Sequence, residues 1–355
     1  MPKYVLNLIR ILICAALAVA SGSAALANEP YRLRIVGGLA NGNQYPAYEV
    51  PFWTKELARL SKGRYVADIV PFDRSGVPGS EMLRLMELGV VPFGTVLMTT
   101  LVAQYPQYTA ADLPGLNPDM ASLRAALAAF RPYLEKSLRE EHGIEPLAIY
   151  VYPAQVLFCR QALARLADIK GRRVRVSSAG QADFIGALGG IPVHTGFAQI
   201  YQSLESGSTD CAVTGTMSGY TLGLYRVTQY LYPLSLNWGM AVFGANQTAW
   251  QALPEDLRAL LRSGLSKLEA QIWLASEHDS VEGVACNSGG PQCPDDDKKG
   301  HMTVVPISPQ DEDLRRKIFE SVVLRNWLQR CRTDCADVWG QTIGPMSGIN
   351  VSPSP

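Results

Sequence analysis

The sequence holds few of the residues and motifs that enzymes use for chemistry. It has four histidines in 355 residues, and none of them lies three or four positions from another. It contains no G-x-S-x-G nucleophile elbow, no Walker phosphate loop, no G-x-G-x-x-G after a predicted strand and no H-E-x-x-H motif. We therefore expect no catalytic residue, no bound metal and no cofactor, and the pattern favours a capture protein over an enzyme.

Long apolar runs are absent after the first 27 residues, and no later segment has the roughly 20 apolar residues that a membrane-spanning helix needs. Before that point, Lys3 and Arg10 give a positive start, an apolar run extends from Ile11 to about Ala20, and the first acid is Glu29. This order is typical of a secretory signal peptide. A membrane anchor is the alternative, but the run is short for one and rich in Ala and Ser.

The end of this segment carries a cleavage pattern. Ala25-Leu26-Ala27 has the small residues of a signal-peptidase site, so we expect a signal peptide over residues 1–27, cleavage after Ala27 and a mature protein in the periplasm. Cys14 is not expected to carry a lipid. The reason is that bulky Ile13 precedes it, where a lipid-attachment signal has a small residue.

Neither sign of charge is in excess, since the chain has 32 basic and 32 acidic residues. The predicted signal peptide holds two of the basic residues and none of the acidic ones, which leaves the mature chain a formal charge of −2. This balance gives no reason to expect nucleic acid or an anionic lipid surface as a partner.

Six cysteines remain after the predicted cleavage, and an even number in an exported chain suggests disulfides. We favour the pairs Cys159–Cys211, Cys286–Cys293 and Cys331–Cys335. An i,i+4 pair on an intact helix has poor disulfide geometry, so cross-pairing among the last four cysteines is the main alternative. A second alternative is that the cysteines are buried free thiols. A zinc site is disfavoured, because the C-x6-C and C-x3-C spacings differ from the usual C-x2-C.

About 328 mature residues are too many for one ordinary core, so the length predicts two lobes. Strand-like segments such as 31–36 and 173–176 alternate with helix-like ones such as 120–141, which is typical of the α/β class with mostly parallel sheets. An apolar stripe over residues 257–272 follows the acidic start Glu255-Asp256 and predicts a long helix that crosses both lobes.

The stretch from Leu166 to Leu257 contains an ordered series of motifs. They read D-I-K-G-R-R-V-R-V from Asp168, A-L-G-G-I-P-V from Ala187, F-A-Q-I-Y-Q-S-L-E-S-G from Phe197, T-D-C-A from Thr209 and L-P-E-D-L from Leu253. This series resembles the DctP-type solute-binding proteins of TRAP (tripartite ATP-independent periplasmic) transporters. Residues 81–89 and Asp112-Leu113-Pro114 match more loosely, so the likeness spans nearly the whole mature chain.

The resemblance implies a bilobal periplasmic-binding-protein fold of the type II kind, with two mixed sheets flanked by helices and a long helix that spans the lobes. We assign residues 28–152 and 240–280 to lobe I, residues 153–239 and 281–345 to lobe II, and residues 346–355 to a flexible tail. We expect the protein to be a monomer. The resemblance implies that it captures a small organic acid between the lobes and delivers it to a TRAP membrane permease driven by an ion gradient.

Arg175 aligns with the family arginine that holds the ligand carboxylate. A guanidinium offers two parallel donors that match the two oxygens of a carboxylate. The structural alternative is a surface ion pair. Arg173 lies on the same face of the predicted strand, so a role for it stays open.

Four further positions correspond to cleft residues of family members. Phe197 would cover the ligand, Thr214 would donate to it, Glu81 would line the cleft at a helix start, and Trp238 would present an aromatic face. Each has a structural alternative: lobe core for Phe197, a strand-end turn for Thr214, a dipole-stabilised acid for Glu81, and interlobe core for Trp238.

Two departures from the family pattern bear on the ligand. Gln155 stands where many members carry a further arginine, which argues against a dicarboxylate held at both ends. Gln155, Phe197, Trp238 and the tyrosines together predict a monocarboxylate with an apolar or aromatic body. The second departure is that the family's V-D-G motif reads T-D-C here, from Thr209 to Cys211. Cys159 and Cys211 lie on segments that would be neighbouring strands of lobe II, so a bridge between them would fix the cleft floor.

Three other functions remain open from the sequence. They are a binding protein of another importer class, a receptor-linked sensor, and a secreted enzyme on the same scaffold.

Overall fold

The computed structural model describes residues 29–294, 298–331 and 334–351. The predicted signal peptide and residues 352–355 of the predicted tail lie outside the described residues.

Strands in the described residues are β1 (Tyr31–Gly37), β2 (Tyr65–Pro71), β3 (Phe93–Leu97), β4 (Ile144–Val151), β5 (Gln155–Cys159), β6 (Arg173–Val176), β7 (Ile191–His194), β8 (Cys211–Gly215), β9 (Tyr230–Asn237), β10 (Met240–Asn246) and β11 (Thr303–Val304). They form sheet A, in the order β2-β1-β3-β10-β4, and sheet B, in the order β11-β9-β5-β8-β6-β7. We call the region around sheet A lobe I and the region around sheet B lobe II.

Both sheets are mixed, as the resemblance implied. Strand β10 is antiparallel to β3 and β4, and β5 is antiparallel to β8 and β9. The expectation of mostly parallel sheets is confirmed, since among the described strands only β10 in sheet A and β5 in sheet B run against the others. Both reversed strands lie where the chain passes between the lobes: it leaves sheet A after β4 and enters sheet B as β5, then returns from β9 to sheet A as β10.

The α-helices are α1 (Leu57–Leu60), α2 (Met82–Glu87), α3 (Met120–His142), α4 (Ala179–Ala187), α5 (Ile200–Glu205), α6 (Thr216–Thr221), α7 (Gln247–Gln251), α8 (Glu255–Ser288), α9 (Pro309–Ile318), α10 (Leu324–Cys331), α11 (Asp334–Gln341) and α12 (Ile343–Ser347). Helix α3 shows why these segments are helical. Asp119 caps its first turn by accepting from Ser122 N–H at 2.8 Å, and Gly143 ends it with a φ of 60°.

Helix α8 is 34 residues long and contacts both lobes, so the predicted lobe-spanning helix is confirmed. On the lobe I side, Ser276 donates to Val151 O at 2.6 Å. On the lobe II side, the Thr216 hydroxyl donates to Asp279 O at 3.0 Å. Gly283 lies directly against the backbone of α6, where a Cβ atom would overlap Thr216 and Met217. The helix therefore approaches lobe II more closely than any side chain at position 283 permits.

Gly283→Ala should destabilise the protein by about 1–3 kcal/mol, because overpacking a close backbone contact forces the helix and α6 apart. Urea denaturation measures this loss. Gly186→Ala is the matched control, since Gly186 also lies in a lobe II helix and its Cβ would meet no atom within 4 Å. There the better helix propensity of alanine should leave stability equal or higher. Equal effects at the two sites would contradict the close packing.

The C-terminal helices touch both lobes. The Trp327 indole donates to Pro106 O of lobe I at 2.7 Å, and Asn326 donates to Asp183 of α4 at 2.9 Å. The predicted tail needs a correction at its start, because α12 continues to Ser347 and the Trp339 indole donates to Ile349 O at 2.7 Å. These contacts hold residues near 346–349 against α11. The lobe boundaries themselves remain predictions.

The structure pairs the cysteines as predicted, with Cα–Cα distances of 4.1 Å for Cys159–Cys211, 4.6 Å for Cys286–Cys293 and 5.3 Å for Cys331–Cys335. Cys159 and Cys211 are direct partners across β5 and β8 and are fully buried. This pair lies at the end of the two strands opposite to Gln155 and Gly215.

Glu49 is a buried acid behind β1. It is 1% exposed, and both of its carboxylate oxygens accept from Gly38 N–H, at 3.1 and 3.0 Å. No cation pairs with it in the part of the chain that the structure describes. Burial raises the pKa of Glu49 from 4.5 to about 7, and the hydrogen bond from Gly38 opposes this shift.

This shift predicts a pH dependence of stability. Between about pH 4.5 and 7, the unfolded chain releases the Glu49 proton while the folded chain keeps it, so the free energy of unfolding falls as the pH rises. The contribution is on the order of 3 kcal/mol. Glu49→Gln should make this slope clearly shallower in urea titrations across that range, and the remaining slope comes from other buried acids such as Asp112. The exposed Glu277→Gln should leave the slope unchanged. A slope that is unchanged in Glu49→Gln would contradict the assignment.

Candidate functional site

A cleft of about 410 Å³ lies between the two lobes. From lobe I, it is lined by residues that follow the carboxyl ends of β1, β2 and β3, among them Leu39, Phe72 and Thr99. From lobe II, it is lined by β6, β8 and the turn after β7. Carboxyl ends of strands are the usual ligand-binding edge of α/β sheets, since the loops there converge.

Arg175 projects from β6 into the lobe II wall and is 3% exposed. Its Nε and Nη2 donate to Thr195 O at 3.1 and 2.9 Å, and its Nη1 donates to Val213 O at 2.8 Å. These three bonds fix the plane of the guanidinium. Of its five N–H groups, one on each terminal nitrogen remains for another acceptor.

No carboxylate pairs with Arg175 in the described residues. Burial lowers the pKa of Arg175 to about 10, so the guanidinium is still charged at neutral pH. A buried charge without a counter-ion is costly. An anionic ligand would supply the missing partner, and its two oxygens would match the two remaining terminal N–H groups.

Two other predicted residues line the same wall. Thr214 lies on β8, is 2% exposed, and its hydroxyl has no hydrogen-bond partner among the residues described. Phe197 is half-buried and lies in the short helical turn Phe197–Gln199 that follows β7. The wall therefore offers a charge, a free hydroxyl and an aromatic surface side by side.

Gln155 also lines the cleft, but both ends of its amide are engaged. Its Nε2 donates to Trp238 O at 3.1 Å, and its Oε1 accepts from Gln181 Nε2 at 2.9 Å. Gln181 donates with the same nitrogen to Asn237 Oδ1 at 2.9 Å. Gln155 thus links the cleft wall to the segment where the chain returns to lobe I.

Asp112 holds this segment from the lobe I side. Its carboxylate accepts from Trp238 N at 2.9 Å, Gly239 N at 2.7 Å and Asn237 Nδ2 at 3.2 Å. Burial raises its pKa to about 6. The sequence marks Asp112 only as the first residue of the D-L-P motif, and we predicted no role for it. The motif does not reveal that the carboxylate of Asp112 binds residues 237–239.

The structure does not bring Trp238 and Glu81 to the cleft wall. Trp238 is 4% exposed and belongs to the core between the lobes, which was its structural alternative. Glu81 is half-buried just before α2 and does not line the cleft, whereas Gly79, two residues earlier, does. Arg173 pairs with Asp210 at 2.7 Å and is half-exposed, so it is a surface ion pair outside the cleft.

Sequence reasoning missed several lining residues, including Asp73, Tyr152 and Ser218. Asp73 is the second residue after β2, in the region where the carboxyl-end rule places ligand contacts, although an acid there is also common in turns. Tyr152 directly follows β4, and Ser218 lies within α6. The sequence around these two residues shows no pattern that marks them as cleft residues.

Groups of three or more potential metal ligands are absent from the described residues. Nor do these residues include a helix both long and apolar enough to cross a membrane.

Two lobes, a cleft between them and a buried arginine facing it define a solute-binding receptor of the periplasmic type. The model of the family "Bacterial extracellular solute-binding protein, family 7" (DctP) matches residues 40–286, and the chain belongs to this family. The predicted resemblance to DctP-type TRAP solute-binding proteins is thereby confirmed. Members of this class are receptors and not enzymes, as predicted.

A curated relative is the C4-dicarboxylate-binding periplasmic protein DctP of Rhodobacter capsulatus, 25% identical over 211 residues. The match covers 58% of this chain and 60% of the relative's length. The fold is similar to that of DctP7, a Bordetella pertussis extracytoplasmic solute receptor binding pyroglutamic acid. That similarity has a TM-score of 0.76 at 20% identity and covers 87% of this chain and 98% of that one.

A TRAP periplasmic solute-binding protein from Desulfovibrio salexigens, with bound orotic acid, has a TM-score of 0.74 at 18% identity. The similarity covers 90% of this chain and 99% of the other. These likenesses show that the bilobal α/β fold was predicted correctly.

Proposed function

We propose that this protein is the periplasmic solute-binding subunit of a TRAP transporter and captures an organic acid through Arg175. The observation that carries the proposal is a buried, charged guanidinium at a cleft wall with no counter-ion among the described residues. Its two unused terminal N–H groups suit a carboxylate. Thr214 would donate to the same group, and Phe197 would cover it.

The ligand is a monocarboxylate with an apolar or aromatic body. Arg175 is the one cation among the described lining residues, and Leu39, Phe72, Val77 and Leu97 make much of the opposite wall apolar. A second carboxylate would find no cation there. Pyroglutamic and orotic acids, which the two similar structures bind, each carry one carboxyl group on a compact ring. The C4-dicarboxylate named for the curated relative fits this wall less well.

The proposal extends to location and partners. Cleavage of the signal peptide after Ala27 would release a monomer into the periplasm, where the closed, loaded protein would meet the TRAP permease. Gln155 would act as a positioning residue. Its amide connects the cleft wall of lobe II to residues 237–239, which Asp112 binds from lobe I. Contact between the ligand and the wall would therefore be linked to closure of the two lobes.

A thermal-shift screen of the mature protein against small carboxylates tests the function, because a ligand that binds only the folded state raises the melting temperature. We expect ring monocarboxylates to give the largest shifts, with smaller ones for C4-dicarboxylates and none for the corresponding amides. Shifts that are equal for acids and amides would contradict the carboxylate site. Turnover of an acid by the protein alone would point to an enzyme instead.

A further inference from the structure

Asp73 is a charged residue of the lobe I wall that the proposed function leaves unused. It lies in the helical turn Phe72–Arg74 directly after β2 and lines the cleft. Its Oδ1 accepts from Ala40 N–H at 2.8 Å, and the neighbouring Phe72 N–H donates to Gly38 O at 2.9 Å. The carboxylate is therefore held in place between the loops that follow β1 and β2.

The second oxygen of Asp73, Oδ2, has no hydrogen-bond partner among the described residues. The contact with Ala40 does not require a charge, because the oxygen of an asparagine amide accepts from a backbone N–H equally well. The negative charge thus has no evident task in holding the two loops together.

The distribution of charge across the cleft suggests such a task. Asp73 and Arg175 are the two charged side chains among the described lining residues, and they lie in different lobes. Around Asp73 the wall is apolar, with Leu39, Phe72 and Val77. Asp73 is exposed in this structure, so water can solvate Oδ2. A ligand seated against this wall would displace that water, and the Asp73 carboxylate would then need a new partner. A carboxylate that loses its water without gaining another hydrogen-bond donor is destabilised.

We propose that the ligand carries an N–H or O–H donor on the end away from its carboxylate, and that Asp73 accepts from this donor while Arg175 holds the carboxylate. The ligand class is then an amino, amide or hydroxy acid rather than a plain hydrocarbon acid. This inference rests on the proposed function, since it assumes that a carboxylate occupies Arg175. A hydrogen bond to a charged acceptor is stronger than one between neutral groups and also fixes the orientation of the ligand.

Matched probes with and without the donor test the proposal. Cyclohexanecarboxylate is compared with trans-4-hydroxycyclohexanecarboxylate and with trans-4-(aminomethyl)cyclohexanecarboxylate, which carry the donor on the end away from the carboxylate. Calorimetry measures the affinity of the mature protein for each. We expect at least one donor-bearing acid to bind 10-fold or more tightly than its hydrocarbon counterpart.

The variant Asp73→Asn should remove that preference, because it keeps the acceptor for Ala40 N–H and loses the charge. The matched control is Asp68→Asn on β2, the strand that precedes Asp73, where the acid is also exposed and pairs with Arg32 at 2.7 Å outside the cleft. It should leave all affinities unchanged. Hydrocarbon acids that bind as tightly as their counterparts, or a preference that survives in Asp73→Asn, would overturn the role of Asp73 and leave Arg175 intact. Binding by none of the acids would overturn the carboxylate site itself, and the inference with it.

Discussion

Replacing Arg175 by alanine should weaken binding of the best carboxylate from the screen by at least about 100-fold. Two charge-assisted hydrogen bonds are lost, each worth roughly 1.5–3 kcal/mol, and 1.4 kcal/mol corresponds to a factor of ten in affinity. The loss should be this large because the site is buried and water replaces the guanidinium poorly there. Isothermal titration of the wild type and the variant measures it.

Two controls accompany this experiment. Arg173→Ala removes an arginine two positions away on the same strand, whose partner is Asp210, and should bind normally. Arg175→Lys keeps the charge but loses the planar pair of donors, and should recover only part of the affinity. Because Arg175 also satisfies the carbonyls of Thr195 and Val213, urea denaturation must show that each variant is folded. A folded Arg175→Ala variant with wild-type affinity would contradict the site.

Removing the bridge between β5 and β8 should produce the largest loss of stability. In the chain-entropy account, a disulfide restricts the unfolded chain more when it closes a longer loop. Cys159 and Cys211 are 52 positions apart, which corresponds to about 4 kcal/mol, and Cys286 and Cys293 are seven apart, which corresponds to about 2.5 kcal/mol. The double variants Cys159→Ala/Cys211→Ala and Cys286→Ala/Cys293→Ala compare the two in urea denaturation.

Mass spectrometry of unreduced peptides accompanies this comparison and identifies the bonded cysteines directly. We expect peptides that link Cys159 to Cys211, and a larger drop in the free energy of unfolding for that pair than for the shorter one. Free thiols at both positions in the mature protein would show that the bridge is absent. A smaller effect for the longer loop would contradict the entropic reason and leave the pairing intact.

The regular elements of the fold followed from local patterns. The apolar stripe over 257–272 and the acidic start predicted α8, and the strand around Arg175 was placed correctly. The segment 230–246 was not assigned, although it forms β9 and β10. Its apolar residues are nearly continuous because β10 is buried along its whole length and β9 along most of it, so the regular alternation that marks a half-buried strand is absent.

The site could be predicted only in part. Arg175 was found by resemblance and by the chemistry of a guanidinium, but its carbonyl partners at Thr195 and Val213 could not be, since every residue has a carbonyl. The Gln155 side chain donates to the backbone of Trp238 where the chain returns to lobe I. Only the tertiary structure shows that Trp238 belongs to the core and Gln155 to the cleft wall. Asp73 was missed because an acid after a strand is common in turns.

A crystal structure of the mature protein with the carboxylate selected by the thermal screen tests the central claim most directly. We predict closed lobes with the ligand carboxylate within hydrogen-bonding distance of Nη1 and Nη2 of Arg175, and with the hydroxyl of Thr214 beside it. A ligand bound in the cleft with its carboxylate directed away from Arg175, or bound outside the cleft, would contradict the account.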